Sequence, residues 1–378
     1  MRLLYYCPAS IGGIADYAHE QAKALGNLGV EVTLLCPPDY PHEALGYSQR
    51  RDLMNRPAKS NSRWQNRFLL FRCILANAAI LDRQIVGEGF DRVLFATYTE
   101  YLAPLWAWRL RRHSRSGVAF GAILHDPVRD YQVGPRWWHR WSIAQGYSFL
   151  REAFVHHGIE LNTGRRFTGL RITVIPHGPL SFPDPDQSRE EFRKVHKIPS
   201  GVPLFLCFGH LRDAKNLNLV LEAMKTVPDA WLLVAGSEAS PGQRQSGEYQ
   251  MMADRLAVAD RCGWFLRYLN PVDAANCFAA SDFVLLTYSS SFRSASGVLN
   301  VAAWFRKPVI ASCGESNLGR AVDDYLLGER TVPDNAAAIS GAMLRFLADP
   351  PRPNWTRYLE EHSWRRNAEL IKTSLIDL

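Results

Sequence analysis

The sequence predicts an α/β protein with two similar domains, each built on a parallel β-sheet. Short apolar runs alternate with amphipathic stretches along the chain, and this alternation is typical of parallel strands joined by helices. The length of 378 residues is about twice that of a common single domain. A segment rich in proline and aspartate, at 176–186, divides the alternating series into two halves.

The first domain is expected at 1–178. It begins with a strand at 3–7, followed by an amphipathic helix that Gly29 closes and a second strand at 30–36. Four further apolar runs predict buried strands, and two longer amphipathic stretches predict helices. These strands are expected at 92–96, 118–124, 153–156 and 172–175, and the helices at 64–86 and 100–112.

The second domain is expected at 179–355, and it repeats the same alternation. Its strands are expected at 204–208, 231–235, 264–266, 283–286 and 308–311. Its helices are expected at 216–227, 249–258, 272–280 and 297–305.

Composition excludes several classes of protein. Apolar residues make up 47% of the chain and charged residues 21%, which is typical of a folded protein. The 7 cysteines form no CxxC pair, which argues against a disulfide scaffold or a zinc ribbon and fits a reducing compartment. The N-terminus lacks the pattern of a signal peptide, and no apolar run approaches 18 residues. We therefore expect a cytoplasmic protein.

The net charge of +7 is concentrated in the first half of the chain. Residues 1–175 contain 22 Lys and Arg against 14 Asp and Glu, and basic residues alternate with tryptophan at 136–141. This pattern is typical of contact with an anionic membrane, with nucleic acid or with an acidic acceptor, and also of a solvated helix face. Of these partners we favour the inner membrane surface, as a peripheral contact, and expect no nucleic acid.

Ligands of open parallel sheets bind at the carboxyl ends of strands, so the residues that follow strands are the candidates for a site. Gly12 and Gly13 follow the first strand, where the backbone can approach an anion closely or form only a tight turn. His125 and Asp126 follow a central strand, where the imidazole can donate to a substrate or cap a turn. Neither a Walker motif nor GxGxxG occurs, which argues against dinucleotide binding.

Two loops of the second domain have the composition of an anion site. Gly209, His210, Arg212 and Lys215 follow a strand and precede a helix, where two cations beside a helix N-terminus favour a diphosphate. The alternative is a pair of exposed basic residues. The segment that follows the strand at 283–286 combines hydroxyls, a cation and a helix start, which is typical of an anion-binding turn or of a polar loop with a serine cap. Its candidate residues are Tyr288, Arg293, Ser296, Gly297 and Val298.

These places together resemble the family-4 retaining glycosyltransferases of the GT-B fold. The resemblance rests on GGIADYAHEQAKALGNLGVEVTLLCP, VIPHGP, FGHLRDAKNLNLVLEA, WLLVAGSE, SDFVLLTYSSSFRSASGVLNVAAWFRKPVIAS and HSWRRNAELI, and it covers nearly the whole chain. It implies two Rossmann-like domains and a C-terminal helix at 356–378 that packs back toward the first domain. It also implies a nucleotide-diphosphate sugar as donor, a glycan, lipid-linked or small-molecule acceptor, and polysaccharide or glycoconjugate biosynthesis.

The resemblance also implies roles for individual residues. Gly12 and Gly13 would lie against the diphosphate, His125 would meet the donor sugar, and Lys215 would pair with the phosphates. The amides of Ser296 and Gly297 would face the phosphates and sugar, and the nucleobase would lie against 267–269, including Leu269. No Asp-x-Asp motif is present, so we expect no metal and no cofactor besides the donor.

Two features depart from the family pattern. His210 replaces the usual arginine of an FGR motif, so Arg212 would supply that charge, and the usual pair of glutamates is replaced by Arg293 and Val301. An epimerase of the same fold would need carboxylates in its cleft, which the sequence lacks there. A non-catalytic protein that binds a nucleotide sugar is the other alternative to a transferase.

Overall fold

The protein is described by a computed structural model that covers residues 2–10, 12–57, 63–125, 132, 134–156, 158–179, 182–238, 242–292 and 296–376. The chain divides into two compact units. Unit 1 comprises Met1–Gly178 together with His362–Leu378, and unit 2 comprises Pro179–Glu361.

Unit 1 is built on a parallel sheet with the strand order β3-β2-β1-β4-β5-β6-β7 in the described residues. Its strands are β1 Arg2–Tyr6, β2 Glu31–Leu35, β3 Ser48–Arg50, β4 Arg92–Phe95, β5 Ala119–Leu124, β6 Glu152–Val155 and β7 Arg171–Val174. Its helices are α1 Gly13–Asn27, α2 Arg63–Glu88, α3 Ala103–Arg115, α4 Arg136–Tyr147 and α13 Trp364–Ile371. A π-helical turn at Lys372–Ile376 follows α13.

Helices cover both faces of the unit 1 sheet. Because successive residues of each strand point to opposite faces, each strand contributes to two cores. Leu3 and Tyr5 of β1 pack in one core with residues of α1 and α13. Leu4 and Tyr6 pack in another core with residues of α2, α3 and α4. The sheet therefore forms the middle of a three-layer unit.

Unit 2 repeats this design with a parallel sheet of order β10-β9-β8-β11-β12-β13. Its strands are β8 Leu204–Phe208, β9 Trp231–Ala235, β10 Cys262–Phe265, β11 Phe283–Thr287, β12 Val309–Ser312 and β13 Gly328–Thr331. Its helices are α5 Arg189–Val195, α6 Leu217–Ala223, α7 Ser246–Arg255, α8 Pro271–Ala280, α9 Gly297–Trp304, α10 Asn317–Asp324, α11 Ala336–Ala348 and α12 Trp355–Glu361.

Two features of the C-terminal segment and the sheet edge differ from the sequence-based expectation. The segment expected as one helix at 356–378 is two helices, α12 and α13. Trp355 and Tyr358 of α12 are buried in the core of unit 2. Ser363 then caps the start of α13, where its side chain accepts from the amide of Arg366. The strand expected to be buried near 172–175 is the exposed edge strand β7, with Ile172 45% and Val174 49% exposed.

The basic segment at 136–141 lies in α4, a helix that the sequence analysis did not predict. Its inner face is buried in the core of unit 1 through Ile143 and Tyr147. In the described part of the chain, no helix is both long and apolar enough to cross a membrane.

Candidate functional site

The carboxyl ends of β8 and β11, which are neighbours in the unit 2 sheet, bring most of the candidate residues of this unit together. Gly209 follows β8 in the left-handed region, with φ at 91°. Lys215 Nζ donates to the carbonyl of Phe208 at 2.8 Å. A Cβ on Gly209 would lie 3.0 Å from Lys215 Nζ, so the glycine leaves the space that the ammonium group occupies.

Hydrogen bonds from β11 hold the loop that carries Lys215. Thr287 Oγ1 donates to the carbonyl of Lys215 at 2.8 Å, and the amide of Ser289 donates to the carbonyl of Ala214 at 2.9 Å. The lysine backbone is therefore positioned by the neighbouring strand as well as by its own loop.

A carboxylate fixes the far end of the same loop. Asn216 adopts a left-handed conformation with φ at 54°, and its side-chain amide donates to Asp334 Oδ1 at 2.8 Å. Asp334 Oδ2 accepts from the amide of Ser290 at 3.0 Å. These hydrogen bonds lower the pKa of Asp334 below its usual value, so the carboxylate stays ionised near neutral pH.

The electrostatic environment of Lys215 favours an anionic ligand. Burial lowers the pKa of Lys215 to about 8, the nearby Cys207 thiol acts in the opposite direction, and Arg212 lowers it further. At pH 7 the ammonium is still mostly protonated. Arg212 is exposed, and its guanidinium makes no hydrogen bond or ion pair with the described residues. His210 is also exposed, and its Nδ1 lies 3.0 Å from Ser237 Oγ.

The N-terminus of α9 borders the same loop. Ser296 caps α9 by accepting from the amide of Leu299 at 3.4 Å, and its Oγ lies 2.9 Å from the hydroxyl of Tyr288. The first amides of a helix, here those of Gly297 and Val298, have no acceptor within the helix. A Cβ on Gly209 would lie 4.0 Å from Val298 Cγ2, so the first turn of α9 is next to the glycine turn.

One cavity is lined in part by Gly209, His210, Arg212, Lys215 and Tyr288, whereas Ser296, Gly297 and Val298 do not line it. Leu269 does not line this cavity. It follows β10 and packs against the core of unit 2. Arg293 lies outside the described residues. The hydroxyl of Thr287 and the carboxylate of Asp334 could not be predicted as parts of this site, since nothing in the sequence links them to the loop at 209–216.

In unit 1, Gly12 directly precedes α1, and Gly13 is the first residue of this helix. Gly12 has φ at 80°, and a Cβ on either glycine would meet no atom within 4 Å, so the space in front of this turn is open. Asp126 lies outside the described residues. His125 directly follows β5 and is partly buried.

His125 belongs to a group of rings around Tyr17 of α1. The Tyr17 ring makes edge contacts with His125, His156 and His177, with ring centroids 4.6, 5.4 and 5.0 Å away. His125 Nδ1 lies 3.4 Å from His156 Nε2, while its Nε2 is buried and has no partner in the described residues. Burial, together with His177, lowers the pKa of His125 to about 4, so the imidazole is neutral at pH 7.

A buried polar network joins this group to the C-terminal helix. Tyr17 OH accepts from Asn367 Nδ2 at 2.9 Å and from Gln21 Nε2 at 3.1 Å, and Gln21 Nε2 also donates to Asn367 Oδ1 at 2.8 Å. Asn367 Nδ2 donates to the carbonyl of Pro176 at 2.7 Å. Sequence analysis did not identify this network, because its members lie up to 350 positions apart.

Among the described residues, no group of three or more His, Cys, Asp and Glu side chains is placed to hold a metal ion.

Two parallel-sheet units, the second with a glycine turn and two cations in the loop after β8, are typical of the GT-B class of proteins. A glycosyltransferase from Rickettsia africae has 16% identity and a TM-score of 0.67, over 100% of this chain and 99% of that one. WaaG, a glycosyltransferase involved in lipopolysaccharide biosynthesis, has 14% identity and a TM-score of 0.61, over 100% of both chains. These likenesses confirm the predicted fold.

Two family models together cover nearly all of the chain. The model described as Glycosyltransferase Family 4 matches residues 11–179, and the model described as Glycosyl transferases group 1 matches residues 188–369. The first half of the chain thus matches a family-4 model and the second half a group-1 model, and together with the similar folds these matches support a glycosyltransferase of the GT-B fold.

Among curated proteins, the D-inositol 3-phosphate glycosyltransferases of Mycobacterium marinum and Mycobacterium ulcerans are each 29% identical to it over 175 residues. That match covers 44% of this chain and 36% of each relative. The chain thus matches these curated relatives over about a third of their length.

Proposed function

We propose that this protein transfers a sugar from a nucleotide-diphosphate sugar to a hydroxyl group of a glycan, lipid-linked or small-molecule acceptor. The observation that carries the proposal is that Lys215 and Arg212 line one cavity with the glycine turn at Gly209, and that the side chain of Val298, in the first turn of α9, lies next to that turn. An ammonium, a guanidinium and free amides at a helix N-terminus are the groups that bind a diphosphate.

This arrangement suits the chemistry of glycosyl transfer. The bond between the anomeric carbon and the phosphate oxygen breaks, and a bond from that carbon to the acceptor oxygen forms. Negative charge grows on the leaving diphosphate, and the proton of the acceptor hydroxyl passes to this diphosphate or to water. Positive groups that are already in place lower the barrier to this step. Because Lys215 and Arg212 supply that charge, we expect transfer to proceed without a divalent metal.

Solved structures with similar folds support a nucleotide donor. Anabaena HepE was crystallised with UDP and glucose, and its TM-score against this chain is 0.59 at 15% identity. Starch synthase IV from Arabidopsis thaliana was crystallised with ADP and acarbose, and its TM-score is 0.65 at 14% identity. We further propose, from the family resemblance, that His125 contacts the donor sugar as a neutral imidazole and that transfer retains the anomeric configuration.

The test is Lys215→Ala, compared with Lys225→Ala, which removes an exposed lysine of the same unit. Because Lys215 neutralises charge that grows in the transition state, we expect its loss to lower kcat/KM by about a hundredfold or more. Release of nucleoside diphosphate is measured over a panel of nucleotide sugars, with and without EDTA. Circular dichroism confirms that both variants fold.

Wild-type protein that binds a nucleotide sugar but releases no diphosphate with any acceptor would support the non-catalytic alternative. Equal activity of the two variants would reject the role of Lys215. The pKa of about 8 also predicts that kcat/KM of the wild type falls above pH 8, as the ammonium loses its proton.

We also propose that unit 1 contacts an anionic membrane surface through the outer face of α4. Arg136, Trp137, Arg140 and Trp141 are exposed on this helix, with Trp137 66% and Trp141 45% exposed. The helix sequence contains no Asp or Glu. Exposed indoles beside arginines are typical of helices that lie in the interface of an anionic bilayer.

A further inference from the structure

Unit 1 contains a second cavity, at the edge of its sheet opposite to His125. The cavity has a volume of about 640 Å³, within the range of small-molecule sites. The residues that line it lie before β5, β6 and β7 or at the first residue of β5, whereas His125 follows β5. We call it the arginine pocket. Its lining residues are Ser114, Gly117, Val118, Ala119, Ser148, Leu150, Arg151 and 165–170.

The arginine pocket has an excess of positive charge. Arg151, Arg165 and Arg166 line it, and none of the described residues that line it is an Asp or Glu. The guanidinium groups of Arg151 and Arg166 make no hydrogen bond or ion pair with described residues. Arg165 is held over the ring of Phe167, with its guanidinium carbon 4.6 Å from the ring centroid. Three exposed cations therefore face a concave surface without a carboxylate partner.

Further guanidinium groups lie nearby and increase this positive charge. The pKa of Arg111 is lowered below its usual value by burial, and Arg115 and Arg165 act in the same direction. Like charges at such close range repel each other, so an anion bound among them would be stabilised.

The loop that carries Arg165 and Arg166 is held in place by its own packing. Gly164 has φ at 74°, and a Cβ there would lie only 2.5 Å from the carbonyl of Arg140, so the loop lies directly on α4. Thr163 Oγ1 donates to the carbonyl of Arg165 at 2.6 Å. Phe167 packs against the core of unit 1. The two arginines thus project from a fixed loop, which reduces the entropy lost on binding.

We propose that the arginine pocket binds a small phosphorylated molecule. Guanidinium groups bind phosphate oxygens in pairs of parallel hydrogen bonds, and the hydroxyls of Ser114 and Thr168 can donate to the remaining oxygens. Leu150 and Phe167 offer an apolar surface for the organic part of the ligand. The concave shape and volume favour a small molecule over a polymer.

The test is calorimetric titration of the full chain with glycerol 3-phosphate and with inorganic phosphate, and glycerol serves as the uncharged control. The pocket variants are Arg151→Gln and the double variant Arg165→Gln with Arg166→Gln. Two other variants separate this site from other positive charge. Arg83→Gln removes an exposed arginine of the same unit outside the pocket, and Lys215→Ala removes the cation of the proposed donor site.

We expect saturable binding that each pocket variant weakens about tenfold or more, and that Arg83→Gln and Lys215→Ala leave unchanged. Tighter binding of glycerol 3-phosphate than of inorganic phosphate would identify an organic phosphate as the ligand, and equal affinities would assign the pocket to the free anion. Absence of saturable binding would overturn the proposal. Loss of binding in Lys215→Ala, or equal weakening by Arg83→Gln, would also overturn it. None of these outcomes depends on the proposed transferase function, because the titrations measure phosphate binding and not sugar transfer.

Discussion

At the scale of single residues, the structure explains why several side chains have unusual properties. His125 and His177 lie beside the buried ring of Tyr17, and burial lowers the pKa of both. Sequence analysis selected His125 because it follows a central strand. It could not identify Tyr17 as the residue that His125 packs against, because a tyrosine on an amphipathic helix is most often a core residue with no further role.

The pKa of His125 predicts how stability depends on pH. The unfolded chain binds a proton near pH 6.5, whereas the folded protein binds it only near pH 4. Between these values the unfolded state holds more protons, so the free energy of unfolding falls as pH decreases from 6.5 to 4, by about 3 kcal/mol at most from this residue.

In His125→Gln we expect the free energy of unfolding to fall less steeply between pH 6.5 and 4, since glutamine binds no proton at that position. Urea unfolding at pH 7, 5.5 and 4.5 measures this free energy. Identical pH profiles of variant and wild type would contradict the prediction. His113→Gln, which removes a partly buried histidine paired with Asp82, is the matched control for loss of a histidine elsewhere in unit 1.

At the scale of elements, the candidate site depends on how closely neighbouring strands approach after they end. The amide of Gly209 donates to the carbonyl of Ala235 at 2.8 Å, which ties the loop after β8 to the end of β9. Gly236, which directly follows Ala235 at the end of β9, has φ at 149°. A Cβ on Gly236 would lie 2.2 Å from the carbonyl oxygen of Gly209, so no other residue fits without moving the glycine turn.

Gly236→Ala is therefore expected to displace the turn at Gly209 and to weaken the binding of a nucleoside diphosphate by about tenfold or more. The positive φ adds strain, so we also expect a loss of stability of about 1–3 kcal/mol. Titration calorimetry with UDP, GDP and ADP measures the affinity, and thermal unfolding measures the stability.

Gly247→Ala is the control, because a Cβ on Gly247 meets no atom within 4 Å. If Gly236→Ala binds the diphosphate as tightly as Gly247→Ala does, the turn at Gly209 is not part of the site. The sequence segment WLLVAGSE contains this glycine, but only the structure shows that Gly236 lies against Gly209.

At the scale of the whole molecule, neither the ends of the chain nor its charge are shared evenly between the two units. Unit 1 contains the two ends of the chain, and residues near the C-terminus complete its core. Ile371 and Leu375 are buried against the same cluster as Leu3 and Tyr5 of β1. The excess positive charge also lies in unit 1, since residues 1–178 and 362–378 hold 25 of the 44 Lys and Arg but only 16 of the 37 Asp and Glu.

This distribution predicts binding to anionic vesicles at low salt. Replacement of Trp137 and Trp141 by glutamine should reduce the bound fraction, because the variant loses the exposed indoles of α4. Sedimentation with vesicles of phosphatidylglycerol or phosphatidylcholine measures the bound fraction at 20 and 500 mM NaCl. Salt screens the attraction between the arginines and the anionic lipid, because the Debye length falls from about 30 Å at 0.01 M to about 3 Å at 1 M.

Trp304→Gln provides the matched control, since Trp304 is an exposed tryptophan, 43% accessible, in unit 2. Equal recovery of wild-type protein with anionic and neutral vesicles would reject the membrane proposal. Loss of binding in Trp304→Gln to the same extent as in the α4 variant would show that α4 has no special role.

Local patterns in the sequence were enough to predict the parallel α/β architecture and the places where loops could bind a ligand. A strand or helix depends on the spacing of apolar residues over 5 to 15 positions, as in β8 and α1, and the loop at 209–216 follows directly from the end of β8. The sequence also placed glycine and cations in that loop, which is why its chemistry could be inferred before its geometry was known.

Only the tertiary structure decided which distant residues meet. Asn367 reaches Tyr17 across 350 positions, Arg151 shares a cavity with Arg165 and Arg166, and β7 is exposed although it contains the apolar residues Ile172 and Val174. The physical reason is that burial and charge proximity depend on where each element lies in its sheet or core. A single sequence contains no local signal of that position, because the contacts form between segments that are far apart in the chain.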